Sequence, residues 1–192
     1  MGKLAAEDDG DSLRELVSQA DIVVIVAALG GGTGTGAAPI MARIAREQGA
    51  MTLCFATTPF DFEGELKTRH AEEGLRALRM QADVVITLPN QRLLELVETQ
   101  TGLVDAFGKA DVMLGVGVRS LWKLLSKAGI INLDFADLRH LVEHSGGVCS
   151  FGYGEGTGTA KASVAVSELM KSPLLDRGRI LSQAGALLVS SN

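Results

Sequence analysis

The sequence is poor in aromatic residues, which make up 4% of its 192 residues and include a single tryptophan, Trp122. A core of this composition must be mainly aliphatic and rich in alanine. Apolar residues reach 46% and charged residues 21%, a balance typical of a packed globular protein and not of a disordered chain. No apolar run approaches the roughly 20 residues that a membrane-spanning helix needs. Residues 1–13 are acidic and lack the apolar region of a signal peptide.

Basic charge and cysteine are also scarce. The net charge of -5 argues against broad nucleic-acid binding, which requires a basic surface. The two cysteines, Cys54 and Cys149, each lie in an apolar, strand-like run. This placement favours two buried thiols in a cytoplasmic protein over a disulfide bond.

Strands and helices alternate in the first half of the chain. Continuous aliphatic runs predict buried parallel strands at 20–29, 50–57 and 82–89. Helical patterns fill the two connections, at 37–49 and 64–80, with Pro39 expected in the first turn of the first helix. This β-α-β-α-β order predicts a parallel α/β sheet with right-handed connections.

The second half begins with a helical pattern over residues 91–127 that is interrupted near 101–102. A helix of about 25 residues would span about 37 Å, enough to join two subdomains. Further helices are expected near 135–145 and 159–171, with strand-like runs at 146–154 and 184–190. We therefore expect a first domain over 1–102, a long connecting helix over 103–127 and a smaller α/β subdomain over 128–192.

The stretch LGGGTGTGAAP, residues 29–39, holds five glycines and two threonines within Gly30–Gly36. It follows a predicted strand and precedes a predicted helix, so it lies at the edge of the sheet where ligands bind. Glycines let backbone N–H groups approach an anion, the helix start adds positive potential, and Thr33 and Thr35 add hydroxyl groups. A tight turn alone would need only one or two glycines. The run therefore predicts a phosphate-binding loop.

The spacing excludes two common phosphate loops. No Lys-Ser/Thr pair follows the glycines, and no acidic residue lies in 50–57 to bind a dinucleotide ribose. GGGTGTG instead resembles the signature loop of the tubulin/FtsZ family of GTPases, bacterial FtsZ more than eukaryotic tubulin. Other segments resemble FtsZ in the same order: FEG at 62–64, LPNQRLLELV at 88–97, LVDAFGKAD at 103–111, GIINLDFADLR at 129–139 and SPLL at 172–175. The resemblance implies an incomplete, Rossmann-like, three-layer parallel sheet, joined by a long central helix to a smaller and incomplete α/β subdomain.

The resemblance also implies roles for individual residues. In FtsZ-like proteins the glycine loop surrounds the GTP phosphates, and the glutamate of FEG, here Glu63, holds the ribose. Lys67 stands where the family has arginine, and it keeps the charge without the planar fork. Asn90 would lie near the base or the sugar. The phosphate contacts would fall to Gly31, Gly32, Thr33, Gly34, Thr35 and Gly36.

Phe107 and Asp111 match the positions that receive guanine in this family. A carboxylate that accepts from two adjacent guanine N–H groups discriminates against adenine. Without the resemblance, Phe107 would be read as a core aromatic residue and Asp111 as a solvated helix charge.

A second family signature is NLDFAD, which contains Asn132, Asp134 and Asp137. In the family this loop enters the nucleotide site of the next subunit, where carboxylates orient water against the γ-phosphate and help position a cation. The same pattern also fits an ordinary helix cap with an acidic first turn. The resemblance implies head-to-tail filaments, because the two half-sites lie at opposite ends of one chain.

Two other motifs are expected to be decoys. HLVEH at 140–144 fits a zinc-peptidase pattern, but only Glu155 and Glu168 are available downstream as a third ligand. The glycine-rich segment 152–162 resembles a phosphate loop, but in family terms it is a connection in the second subdomain. We expect neither motif to bind a ligand.

Relative to FtsZ, the chain resembles the middle portion. The strand, glycine loop and helix that open FtsZ have no counterpart before residue 20, and the last strands and partner-binding tail have none after 192. We expect exposed sheet edges as a result. The chain would be a fragment, the product of a short reading frame, or a naturally reduced paralogue.

Two functions follow from the resemblance. The first is a cytoplasmic GTPase that binds GTP or GDP with Mg²⁺, polymerises head-to-tail and acts at the division site in bacterial cell division. The second is a non-catalytic module that co-assembles with or caps complete FtsZ. Either function excludes nucleic-acid binding and membrane insertion, and leaves room for other division proteins as partners.

Overall fold

The fold is taken from a computed structural model that describes residues 1–94, 102–126, 148–175 and 178–185. The chain divides into two compact units. The first contains residues 1–91 and 148–149, and the second contains the other described residues.

A parallel sheet forms the centre of the first unit. Its strands, in spatial order, are β1 (Ile22–Ala28), β2 (Met51–Thr58), β3 (Val84–Pro89) and β4 (Val148–Cys149). All three pairings are parallel, and Ile25 pairs with Cys54, which pairs with Val85. β2, the strand between β1 and β3, is buried at every residue but its last, as expected for an aliphatic strand that is covered on both faces. The predicted α/β class with an incomplete parallel sheet is confirmed.

Helices precede the sheet and connect its strands. They are α1 (Gly2–Asp8), α2 (Gly10–Val17), α3 (Gly32–Glu47), α4 (Glu65–Gln81) and the short α5 (Asn90–Leu93), with a 3-10 turn at Asp61–Glu63. α3 connects β1 to β2, and α4 connects β2 to β3, so these segments form two successive βαβ units.

The core is aliphatic and alanine-rich, as the composition predicts. Sheet residues on one face pack with helix residues in a single cluster: Ile25, Ala27, Cys54, Ala56 and Val85 with Ala38, Ala42, Ala71 and Leu78. A second cluster joins Val17 to Ile40 and Ile44. Neither cysteine forms a disulfide bond, as predicted, but only Cys54 is buried, because Cys149 is partly exposed. Burial raises the pKa of the Cys54 thiol from its ordinary value of 9.0 to about 12.

The outer side of β1 is open in the described part of the chain. Among the described residues, only β2 pairs with β1. Val24 is 41% exposed and Val26 is 50% exposed, whereas Ile25 and Ala27 between and beyond them are buried. β1 is therefore an unpaired edge with apolar side chains on its open face.

Helix α3 begins earlier than the sequence pattern indicates. The expectation that Pro39 lies in the first helical turn is wrong, because α3 starts at Gly32 and Pro39 is its eighth residue. The glycine run does not extend as a loop but winds into the first turns of the helix. Pro39 lacks the N–H that would otherwise bond to the carbonyl of Thr35.

The amino-terminal end of the sheet is closed by a charged network. Asp83 Oδ2 accepts hydrogen bonds from the Thr52 backbone N–H and from the Thr52 hydroxyl, both at 2.8 Å. Arg46 Nε lies 3.6 Å from Asp83 Oδ1, and Nη1 of the same guanidinium donates to the Gln81 carbonyl at 3.1 Å. The ends of α3 and α4 and the starts of β2 and β3 are thus joined.

The second unit contains α6 (Leu103–Ser126), which has 24 residues, and α7 (Lys161–Lys171). Gly152, Gly154 and Gly156 lie against α7 and its following turn so closely that a Cβ atom would meet Leu175, Ala165 and Lys161 respectively. The glycines of segment 152–162 therefore permit backbone packing. In the described ranges, no helix combines the length and apolar character needed to span a membrane.

Candidate functional site

Three connections meet at the carboxyl end of the sheet. β1 leads into the glycine run, β2 into Pro59–Gly64, and β3 into Asn90. The Leu29 N–H donates to the Thr57 carbonyl at 2.9 Å, and the Asp61 N–H donates to Gln91 Oε1 at 3.0 Å. This edge is where parallel α/β sheets bind ligands.

The start of α3 is open to a ligand. Gly31 is the N-cap residue, with extended backbone angles of φ -90° and ψ 175°, and no side chain caps the helix. In the part of the chain that the structure describes, a Cβ atom at Gly31 or Gly32 would have no atom within 4 Å. Uncapped N–H groups at a helix start attract anions, and Gly31, Gly32 and Thr33 are exposed.

The other glycines of the run are enclosed by protein. A Cβ atom at Gly34 would collide with the Ala28 carbonyl oxygen, and one at Gly36 would lie 2.5 Å from the Lys3 backbone nitrogen. Gly30 has φ +103°, and a Cβ atom there would lie 3.0 Å from the Lys67 carbonyl oxygen. These three glycines allow backbone segments to approach one another, so within the run only Gly31 and Gly32 are left open to a ligand.

The two threonines also differ. Thr33 is exposed beside the open glycines. Thr35 is half-buried, and its Oγ1 accepts a hydrogen bond from the Gly30 N–H at 2.8 Å. Thr33 can contact a ligand directly, while Thr35 folds the run back on itself.

Glu63 is held by two partners on neighbouring segments. Its Oε1 accepts from the Phe60 N–H at 2.8 Å, while the Glu63 N–H donates to the Phe60 carbonyl at 3.0 Å, so the two residues close the 3-10 turn. Its Oε2 accepts from Lys67 Nζ, also at 2.8 Å. The Glu63 side chain is 14% exposed and that of Lys67 is 51% exposed. In the absence of a ligand, the Lys67 ammonium therefore forms an ion pair with the Glu63 carboxylate.

Asn90 carries a buried polar atom that lacks a partner. The residue is 7% exposed, and its Oδ1 has no hydrogen-bond partner among the described residues. Leaving a buried acceptor unsatisfied costs about 1–3 kcal/mol. A ligand that donates a hydrogen bond at this edge would remove that penalty, and the residues present thus fit a nucleotide.

The remaining predicted residues lie elsewhere. Phe107 and Asp111 belong to α6 in the second unit, are exposed, and share a helix face at i, i+4 spacing. Asn132, Asp134 and Asp137 lie outside the described residues, as does the 140–144 histidine motif. Within the described ranges, no three His, Cys, Asp or Glu side chains converge to hold a metal ion.

Three contributors to this edge are not apparent from the motifs. Gly2 lies so close to α3 that a Cβ atom would meet the Gly32 carbonyl oxygen, and Gly74 of α4 lies against Thr35. Gln91 accepts from Asp61. Only Gly74 has a signal in the sequence, because an isolated glycine within a helical pattern usually has a packing reason.

A parallel α/β unit with an open, uncapped helix start beside a restrained carboxylate defines a nucleotide-binding class of fold. The profile of the Tubulin/FtsZ family, GTPase domain, matches residues 1–98. The chain belongs to the tubulin/FtsZ family, as the sequence motifs predict.

Individual relatives agree with this assignment. Cell division protein FtsZ 1 of Halobacterium salinarum is 44% identical over 99% of this chain and 47% of its own length. Cell division protein FtsZ 1 of Archaeoglobus fulgidus is 46% identical over 92% of this chain and 47% of its own length. The chain thus spans about half the length of these relatives.

Solved structures show the same fold. An empty FtsZ dimer from M. jannaschii is 38% identical, with a TM-score of 0.86 over 91% of this chain and 50% of that chain. CetZ from Methanosaeta thermophila is 19% identical, with a TM-score of 0.74 over 88% of this chain and 48% of that chain, and supports the fold alone.

Proposed function

We propose that the chain binds GTP or GDP at the carboxyl edge of its sheet. The observation that carries this proposal is the start of α3, where Gly31 and Gly32 are exposed and no side chain of the described residues caps the helix. The phosphates approach these N–H groups and the Thr33 hydroxyl. Mg²⁺ would be held mainly by phosphate oxygens and water, as is usual for this ion.

The sugar and the base are assigned by their chemistry. Glu63 accepts a hydrogen bond from a ribose hydroxyl while Phe60 and Lys67 hold its carboxylate in place. Asn90 Oδ1 accepts from the sugar or base. The family resemblance assigns stacking on guanine to Phe107, and acceptance of the guanine N–H groups to Asp111.

Hydrolysis is proposed to require a second molecule. Asn132, Asp134 and Asp137 of one copy would act on the GTP of the next, orienting water against the γ-phosphate. Copies would then associate head-to-tail into filaments that serve cell division at the division site. The names of the relatives and the dimeric FtsZ neighbour support this proposal.

The alternative is a non-catalytic module that co-assembles with complete FtsZ or caps it. The observation that favours it is the face of β1 on which the apolar side chains of Val24 and Val26 are exposed. Such a module keeps the NLDFAD loop but holds GTP weakly.

Gly31→Asp tests nucleotide binding separately from folding. Aspartate at an N-cap stabilises a helix, and Gly31 has space and suitable backbone angles for it. The new carboxylate repels a phosphate, so binding of a fluorescent GTP analogue should fall at least about tenfold while the urea midpoint is kept or rises. Ala160→Asp places the same charge at the exposed start of α7 and should leave binding unchanged.

The two functions give different results in the same assays. Tight GTP binding with hydrolysis that appears only above a critical protein concentration supports the filament-forming GTPase. Weak or absent binding, together with co-sedimentation with complete FtsZ, supports the module. Unchanged binding by the Gly31→Asp variant would remove the proposed site.

A further inference from the structure

Helix α4 contacts the glycine run at two places. A Cβ atom at Gly30 would lie 3.0 Å from the carbonyl oxygen of Lys67, in the first turn of α4. Two turns further along, a Cβ atom at Gly74 would lie 2.5 Å from Thr35 Cγ2 and 3.3 Å from Thr35 Cα. Real Cβ atoms are not found at the shorter of these distances, so the Gly74 position accepts only glycine unless Thr35 moves.

Thr35 is the link between these two contacts. Its Oγ1 accepts the Gly30 N–H at 2.8 Å, while its methyl group lies against Gly74. Threonine has few χ1 rotamers because two heavy atoms branch from Cβ. The rotamer that seats the methyl against Gly74 is therefore the one that holds the turn at Gly30.

We propose that Gly74 is a positioning residue for nucleotide phosphate, acting through Thr35 on the turn that aims the N–H groups of Gly31 and Gly32. This inference rests on the proposed nucleotide site. A methyl group at position 74 forces Thr35 to rotate, which breaks its bond to Gly30, or forces α3 away from α4. In both cases the open N–H groups change direction.

The same helix carries the restraint on the sugar-binding carboxylate. Lys67 Nζ lies 2.8 Å from Glu63 Oε2, and α4 begins two residues after Glu63. One rigid helix thus contacts the phosphate loop through Gly74 and Glu63 through Lys67. α4 sets the spacing between the groups that receive phosphate and ribose.

A purely structural role for Gly74 would give different experimental results from a positioning role. Gly74 lies on the buried face of α4 with Ala71 and Leu78, so it could serve only to let the helices pack. In that case Gly74→Ala would lower stability and would weaken every ligand alike. A positioning role weakens phosphate-bearing ligands selectively and depends on the methyl group of Thr35.

The experiment measures Gly74→Ala in two backgrounds, the natural chain and Thr35→Ser. The serine substitution removes Cγ2, the nearest atom, and keeps the hydroxyl that accepts from Gly30. Because the open N–H groups change direction, Gly74→Ala should weaken binding of a fluorescent GTP analogue by about tenfold in the natural background. In the Thr35→Ser background the same substitution should cost less than about threefold.

Gly115→Ala is the matched control. It also places alanine at a helical glycine, but a Cβ atom there meets nothing within 4 Å among the described residues, so binding should not change. Binding of a fluorescent guanosine without phosphates gives the selective readout, and Gly74→Ala should leave it unchanged. Equal losses in both backgrounds, equal losses for nucleoside and nucleotide, or no loss at all would each overturn the proposal.

Hydrogen exchange separates this proposal from the proposed function. If the natural chain fails to bind GTP, the nucleotide site itself is wrong, and the Gly74 mechanism is judged on the Gly30 amide. That amide should exchange faster in Gly74→Ala and regain protection when Thr35→Ser is added. Unchanged protection of the Gly30 amide in Gly74→Ala would overturn the link through Thr35.

Discussion

Lys67 Nζ lies 2.8 Å from Glu63 Oε2, one helical turn away, while the other carboxylate oxygen of Glu63 accepts the Phe60 N–H. Both oxygens of the predicted ribose ligand are therefore engaged before any sugar arrives. The ammonium at position 67 stands where the resemblance predicts a guanidinium. It acts in this structure on the carboxylate, and it can reach a nucleotide only by sharing that bond.

Lys67→Met tests this arrangement, because methionine keeps an unbranched apolar stem and removes the charge. We expect GTP-analogue affinity to fall about three- to tenfold, since Glu63 loses one of its two restraints. Stability should change by no more than about 0.5 kcal/mol, because the lysine is half exposed. Lys67→Arg should preserve binding in the same titration. Unchanged affinity in Lys67→Met would show that Phe60 alone orients Glu63.

The glycine run predicts opposite outcomes for two neighbouring alanine substitutions. At Gly34 a Cβ atom collides with the Ala28 carbonyl, so Gly34→Ala should lower the free energy of unfolding by about 1–3 kcal/mol. At Gly32 there is open space, so Gly32→Ala should fold normally and weaken nucleotide binding by crowding the phosphate. Urea denaturation and ligand titration of both proteins provide the measurements. Equal destabilisation by the two substitutions would contradict this division.

The contrast between Gly32 and Gly34 also shows which features of the fold and the site can be predicted from the sequence alone. The order of strands and helices, the aliphatic core and the place of the glycine run follow from local pattern, because buried parallel strands are continuous apolar runs. The two roles within the run do not follow, because they depend on Ala28, Lys3 and other residues brought close only by folding. The prediction for Pro39 was wrong for a related reason. Proline is typical of a first helical turn, but here the helix already begins within the glycine run, at Gly32.

The contacts of Glu63 are likewise predictable from the sequence only in part. The FEG motif identifies the carboxylate, and i, i+4 spacing makes an ion pair with Lys67 reasonable. The hydrogen bond from the Phe60 N–H to Glu63 depends on the turn geometry after β2, and the unsatisfied Oδ1 of Asn90 depends on burial after β3. Neither has a sequence signature independent of the fold.

We expect substitutions of Asp83 to lower the stability of the fold without changing nucleotide affinity. Its Oδ2 accepts two hydrogen bonds from Thr52 at the amino end of the sheet, and its Oδ1 faces Arg46. Asp83→Ala leaves the Thr52 N–H without an acceptor and should lower the free energy of unfolding by about 1–3 kcal/mol. Asp83→Asn keeps one carbonyl acceptor and should lose less. Both variants should bind the GTP analogue with the affinity of the natural chain at temperatures where they are folded. A loss of affinity as large as the loss in free energy of unfolding would contradict this prediction and would show that the two ends of the sheet are coupled.

We expect the buried Cys54 thiol to make the stability of the fold depend on pH in alkaline solution. Burial, with a smaller effect from the Asp83 carboxylate, raises the pKa of its thiol from 9.0 to about 12. Between these two values the unfolded chain has lost the thiol proton and the folded chain still holds it, so stability falls as pH rises. This contribution is complete below about pH 9 and declines above it by about 1.4 kcal/mol per pH unit until the folded pKa is reached.

The measurement is the free energy of unfolding from urea titrations between pH 8 and 10.5, for the natural chain and for Cys54→Ala. The alanine variant starts less stable, because it leaves a cavity, but it lacks the titrating thiol. The natural chain should therefore lose about 2 kcal/mol more than the variant across this range. Cys149 is present in both proteins and cancels in the comparison. Parallel curves would mean that the Cys54 thiol ionises equally easily in the folded and unfolded chains, which its complete burial between β1 and β3 argues against.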